Sequence, residues 1–134
     1  MSINNASIND GATAVSPTGG TAKTLNTMGV QADQNVAYFA ADTSMKTRRT
    51  AEFSKKASKA NASSIGGFTQ ARNKVKLTFP RVKADGSLTA DTLTLELARD
   101  IDATDAEVVN YLLIGAQVLG DTDFLDFWKI QSLQ

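Results

Sequence analysis

The chain has no cysteine and no histidine. Without cysteine there is no disulfide framework, no thiolate metal site and no thiol catalysis, and the redox compartment stays open. Without histidine the other common metal ligand and the usual neutral-pH base are missing, so an enzyme here would depend on carboxylates, lysine or tyrosine. Catalysis is therefore not expected, and no catalytic residue, metal ligand, cofactor or small-molecule substrate is assigned. Long apolar runs are absent too. The longest, such as Val36 to Ala41 and Tyr111 to Ala116, fall far short of the roughly 20 residues that cross a bilayer. The start, Met1-Ser-Ile-Asn-Asn-Ala, has no basic segment leading into an apolar stretch, so neither a secretory signal nor a membrane partner is expected.

What is present suits one ordinary folded domain. The length is 134 residues, and 42% hydrophobic with 21% charged residues is enough apolar material for a core and unlike a disordered chain. The formal net charge is zero, but it is the sum of opposed segments. From Met45 to Lys83 eleven Lys and Arg face the single Glu52, a net of +10, whereas Ala84 to the end carries −8 and Met1 to Ser44 carries −2. Such asymmetry points to a polyanion partner, because lysines and arginines that neutralise phosphates release counterions. The plainer reading is a solvated basic surface balanced by an acidic helix face, and the charge count alone does not choose between them.

Residues 1–34 are rich in Asn, Ser, Thr, Gly and Ala, with turn signals at Asn9-Asp10-Gly11 and Pro17-Thr18-Gly19-Gly20. They read as short strands joined by a hairpin. Val36 to Ala41 reads as a third strand. Thr47 to Ala57 can be written as two alternating faces, one of them the wholly polar Arg48, Thr50, Glu52, Ser54 and Lys56, and Ala57 to Gly67 reads as a loop. Lys74 to Pro80 alternates cleanly, with Lys74, Lys76 and Thr78 opposite Val75, Leu77 and Phe79; Pro80 is expected to end or edge that strand. After a turn around Ala84-Asp85-Gly86-Ser87, Thr92 to Leu97 places Leu93, Leu95 and Leu97 opposite Thr92, Thr94 and Glu96. The period then changes to that of a helix: Val108, Val109, Leu112, Leu113, Ala116 and Leu119 follow a Thr104/Glu107 capping box, and Gly120 stops the run. A second helix is expected from Asp121 or Thr122 to the end of the chain. Strands first and helices last is an α+β order.

Two helices of roughly four turns or fewer cannot blanket six or seven strands spaced about 4.8 Å apart. A second copy of the chain is the simplest source of the missing cover, since symmetric dimers are the commonest oligomers. The polar face with Arg48, Lys56, Lys74 and Lys76, doubled in a dimer, would then suit phosphates. Phe124, Phe127 and Trp128, on a terminal amphipathic helix, are assigned with Leu112 and Leu113 to the dimer interface rather than to base stacking. Glu52 and Glu96 are read as hydrogen-bonding groups rather than an acid and base.

From Asn35 to Gly120 the chain resembles the coat proteins of levivirus-type single-stranded RNA bacteriophages. The resemblance rests on Asn35-Val-Ala-Tyr-Phe-Ala, Lys74-Val-Lys-Leu-Thr-Phe-Pro-Arg-Val82, Leu93-Thr-Leu-Glu-Leu97, and a helix after Ala103-Thr-Asp that ends in Val118-Leu-Gly-Asp121. It implies one coat-protein domain over 1–134: an N-terminal β-hairpin in 1–34, a five-stranded antiparallel sheet over 35–100, and two C-terminal α-helices over 104–134 that interlock with a partner's. It further implies a homodimer that assembles in the bacterial host cytoplasm into an icosahedral virion shell around the RNA genome. The implied RNA stem-loop site comprises Thr50, Glu52, Ser54 and Lys56, then Lys74 and Lys76, then Thr92, Thr94 and Glu96, with Arg48 beside them. Glu52 departs from the family pattern, which usually has a small hydroxyl residue lining a pocket for an unpaired adenine. The loop Lys83, Ala84, Asp85, Gly86 and Ser87 is implied to meet neighbouring dimers. The loop from Ala57 to Asn73 looks longer than in better-known members. The alternative reading is a non-viral dimeric nucleic-acid-binding regulatory domain, and a further one is a structural or adhesive module without nucleic acid.

Overall fold

Alternating apolar and polar residues build strands where they occur, and the computed structural model, which describes residues 5–133, contains five of them. They are β1 (Leu25–Gln31), β2 (Gln34–Phe39), β3 (Thr50–Lys56), β4 (Ala71–Val82) and β5 (Leu88–Arg99). Each pairs antiparallel with the next, in the order β1-β2-β3-β4-β5. Two helices follow, α1 (Asp105–Gly120) and α2 (Leu125–Ile130). This is the expected α+β order, a five-stranded antiparallel sheet followed by two C-terminal helices.

The N-terminal hairpin departs from expectation. Residues 5–24 contain no strand, and the first strand, β1, is instead the edge of the sheet itself. Residues 1–4 lie outside the described residues. The opening segment has no run of alternating β-branched residues to make a buried row, so nothing in it rewards pairing.

The chain divides into two compact units, one the sheet unit Gly20–Ile101, the other the residues up to Gly19 together with those from Asp102 on. In the sheet unit the β2–β3 connection is clasped by Asp42, whose carboxylate accepts from the Arg49 backbone N–H (2.9 Å), Nε (2.9 Å) and Nη2 (3.1 Å). The Arg49 guanidinium also lies 4.1 Å from the Phe39 ring centre. The arginine therefore holds the Asp42 carboxyl down at about 2. The β4–β5 turn closes through Lys83 N–H to Ser87 O and Gly86 N–H to Lys83 O, both 2.9 Å, with Asp85 Oδ1 accepting from the Ser87 N–H and hydroxyl. Gly86 sits at φ 83°, where a Cβ would be strained. β4 runs two residues past Pro80. Beyond Thr78 it has no β3 partner, so the missing N–H falls where the strand has β5 on one side alone.

In the helical unit Thr104 caps α1: its Oγ1 accepts from the Glu107 N–H at 3.2 Å and its hydroxyl donates to Glu107 Oε1 at 3.1 Å. Asp105 and Glu107 place negative charge at the positive end of the helix. A single 3₁₀ turn, Thr122–Phe124, leads into α2. That helix is shorter than expected, ending at Ile130 because Gln131 turns left-handed (φ 57°) and sends its N–H back to Asp126 and Phe127. Phe127 and Trp128 meet edge to face at 4.9 Å, and Trp128 Nε1 donates to Val118 O at 2.9 Å.

The opening segment lies along α1 and is held by amide side chains two turns apart. Gln117 accepts from the Asn9 N–H (2.8 Å) and donates to Asn9 O (3.1 Å), while Asn110 accepts from the Gly11 N–H (3.0 Å) and donates to Asp10 (2.9 Å). Ser7 N–H donates to Asp123 at 3.1 Å. These bonds replace the pairing that a hairpin would have supplied.

Candidate nucleic-acid interface

The strand registers place the expected residues in rows on one face. Thr50, Thr78 and Thr92 stand side by side, then Glu52, Lys76 and Thr94, then Ser54, Lys74 and Glu96, and beyond them Lys56 and Arg72. Side chains two apart on a strand share a face and repeat about every 7 Å. Nine of the ten residues singled out from sequence, Thr50 through Glu96, therefore lie on a single surface. Arg48 precedes β3 and joins them by stacking 4.2 Å from the ring centre of Tyr38, which pairs with Thr50 on the same face.

Lys74, Lys76, Thr92, Thr94 and Glu96 are exposed or nearly so, while Thr50, Glu52 and Ser54 are partly covered. The two carboxylates have partners. Gln34 donates its side-chain amide to Glu52, and Glu96 accepts from Arg72 Nη1 at 2.8 Å. Lys74 and Lys76 form no ion pair among the described residues. The surface can thus offer two uncommitted ammonium groups for phosphates and a band of hydroxyls for sugars or base edges.

Sequence reasoning missed Gln34, Tyr38 and Arg72. The signal for Tyr38 was the alternation of β2, hidden inside a run read only as apolar, and Arg72 lay in residues taken as loop. Gln34 becomes relevant only through its reach to Glu52 on the next strand, 18 positions on, which no local pattern carries.

The opposite face holds Ala37, Ala51, Phe53, Val75, Leu77, Leu93, Leu95 and Leu97. Only Ala37 and Ala51 are buried; Phe53 is 41% exposed and the valine and leucines are half-buried. In the helical unit Phe124 alone is buried among the described residues. Of the residues assigned to a dimer interface, Phe124 is therefore already covered by its own chain, Leu113 and Phe127 are half-buried, and Leu112 (55%) and Trp128 (45%) are exposed. The turn from Lys83 to Ser87 is exposed throughout.

No family model matches the chain, and no curated protein matches it. Among solved structures it is similar to the subunit of the virus-like particle of bacteriophage GQ-907, with 29% identity and a TM-score of 0.87 over 99% of this chain and 100% of that one. The subunit of the virus-like particle of bacteriophage AVE019 shares the fold, with a TM-score of 0.69 over 97% of both chains at 11% identity. Both likenesses run through the sheet and the helices alike, and the chain has the fold of a phage coat protein.

Proposed function

We propose that the chain is the capsid subunit of a single-stranded RNA phage, working as a homodimer that assembles into a shell and holds genomic RNA on its polar sheet face. The observation that carries this reading is the two-sidedness of the sheet on a fold shared, over full length, with a virus-like-particle subunit. One face is polar and basic; the other is apolar and only partly covered.

The apolar face argues for the partner. Burying one large aliphatic or aromatic side chain is worth about 1.5–3 kcal/mol, and the row from Phe53 through Val75 to Leu95 leaves part of that unrealised. Leu112 and Trp128 on the helical unit are uncovered in the same way. A second copy brings both surfaces at once, so its helices covering the sheet's apolar side satisfy both. The polar face is then left for RNA. Lys74, Lys76, Lys56 and Arg48 supply charge for phosphates, and Thr50, Ser54, Thr92 and Thr94 supply hydroxyls. With Glu52 bonded to Gln34, a pocket for an unpaired adenine at that position would offer an acceptor already in use. The exposed Lys83–Ser87 turn is the segment proposed to meet neighbouring dimers.

Expression of the chain alone, followed by electron microscopy and nuclease treatment, tests the reading. Shells tens of nanometres across that keep RNA after nuclease are expected. Monomers alone at high concentration would overturn it, and a dimer that binds RNA without forming particles would favour a regulatory nucleic-acid-binding domain instead.

A further inference from the structure

The connection between β3 and β4, residues 57–70, is an ordered extension of the sheet. Ser58 Oγ donates to Thr69 O (2.7 Å), Thr69 N–H to Lys59 O (2.8 Å), Lys59 N–H to Thr69 Oγ1 (2.9 Å) and Asn61 N–H to Gly67 O (2.7 Å). Ala60 and Phe68 form an antiparallel bridge. At the tip Gly66 and Gly67 both take left-handed φ (77° and 78°), which lets the chain reverse within a single turn.

This extension walls a cavity of about 710 Å³ whose lining includes Lys56, Lys59, Ile65, Phe68 and Arg72, with one carboxylate, Asp100, that has a partner of its own. The cavity adjoins the polar face, since Lys56 and Arg72 are cross-strand partners in the row next to Ser54, Lys74 and Glu96. Two features of the lining stand together. Ile65 and Phe68 are large apolar side chains held in the open, 98% and 42% exposed. Lys56 and Lys59 form no ion pair among the described residues, whereas Arg72 is taken by Glu96. Apolar side chains beside unpaired cations suit a nucleotide: a base packs on Phe68 and Ile65 and its flanking phosphates meet the ammonium groups. An acidic peptide would match the lysines, but not the hydroxyl-rich basic sheet face that the cavity adjoins.

We propose that residues 57–70 form a nucleotide clamp, in which an unpaired nucleotide of bound RNA lays its base on Phe68 and Ile65 and its phosphates on Lys56 and Lys59. The clamp rests on the reading that the sheet face binds RNA, and it carries the bound strand beyond the sheet.

The test uses the full-length chain and a short oligouridylate carrying one thiouridine, crosslinked under near-ultraviolet light and mapped by mass spectrometry. Crosslinks within residues 64–69 are expected. Phe68→Ala should abolish them and weaken binding by about tenfold, within the range measured for one stacked base, and Phe68→Trp should restore both. Lys59→Ala should make the slope of log affinity against log salt shallower by roughly 0.7. If Lys74→Ala with Lys76→Ala weakens binding while Phe68→Ala and Lys59→Ala bind as the parent does without loop crosslinks, the clamp is overturned and the sheet reading stands. If the parent chain binds no RNA, both fall. If Phe68→Ala spares RNA but stops particle assembly, the loop joins subunits and the clamp is wrong.

Discussion

Gln34 of β2 reaches diagonally across the sheet and donates its side-chain amide to Glu52 of β3. Glu52 itself stands directly between Val36 and Lys76. The carboxylate is thereby held on the face that also carries Lys74, Thr92 and Thr94. Gln34→Ala should free it and change which RNA hairpins are preferred while leaving the fold intact. Competition binding with a library of hairpins checks this; an unchanged ranking would remove Glu52 from any role in selection.

Lys74 and Lys76 project from one side of β4 and are exposed. Replacing both with Ala should leave the melting temperature nearly unchanged, because exposed polar strand positions contribute within about 0.5 kcal/mol. RNA affinity should fall, and the salt slope should become shallower by roughly 0.7 to 0.9 for each phosphate no longer neutralised. Ser54→Ala and Thr94→Ala should instead shift preference among RNAs with the slope intact. Filter binding across a salt series separates the two outcomes, and an unaltered slope for the double variant would mean that this face does not meet RNA.

Trp128 is 45% exposed yet fixed by its bond to Val118 O and its edge-to-face packing on Phe127. A rigid, half-exposed aromatic is a strong anchor for a partner surface. Trp128→Ala should weaken dimerisation by on the order of 3 kcal/mol. Sedimentation velocity over a dilution series reads it directly, and a dimer as tight as the parent's would place the interface elsewhere.

The arginine beside Asp42 lowers the carboxyl from its ordinary 3.8 to about 2. A carboxyl depressed in the folded state adds stability above its unfolded value and loses it as the pH falls. The contribution should therefore be complete above about pH 4 and fade toward pH 2. Melting curves of the parent and of Asp42→Asn should converge across that window and differ slightly above it, since an exposed ion pair is worth little. Parallel curves at all pH values would deny the clasp a stabilising role.

Asn110 and Gln117 hold the opening segment through bonds each worth about 0.5–1.5 kcal/mol. Asn110→Ala with Gln117→Ala should release residues 5–19 to proteolysis while α1 stays helical. Limited digestion followed by mass spectrometry checks this, and equal protection in the variant would mean that other bonds retain the segment.

Much of this protein was legible in its sequence. The alternation in Lys74 to Phe79 and in Thr92 to Leu97 specified strands and their two faces, because a period of two has one geometrical solution. The Thr104/Glu107 pair announced the start of α1, because a helix N-terminus is satisfied by local side chains, and Gly120 marked its last residue. The charge split marked a basic segment. What the sequence could not decide was which residues lie side by side across strands: Glu52 next to Lys76, Tyr38 under Arg48, and Arg72 closing a row that seemed to end at Lys74. Those are register relations between segments far apart in the chain, and many registers preserve the same alternation. The opening segment shows the same limit. Its turn signals suggested a hairpin, but its backbone groups found Asn110 and Gln117, about a hundred positions away, and that choice between equivalent hydrogen-bond partners belongs to the tertiary structure alone.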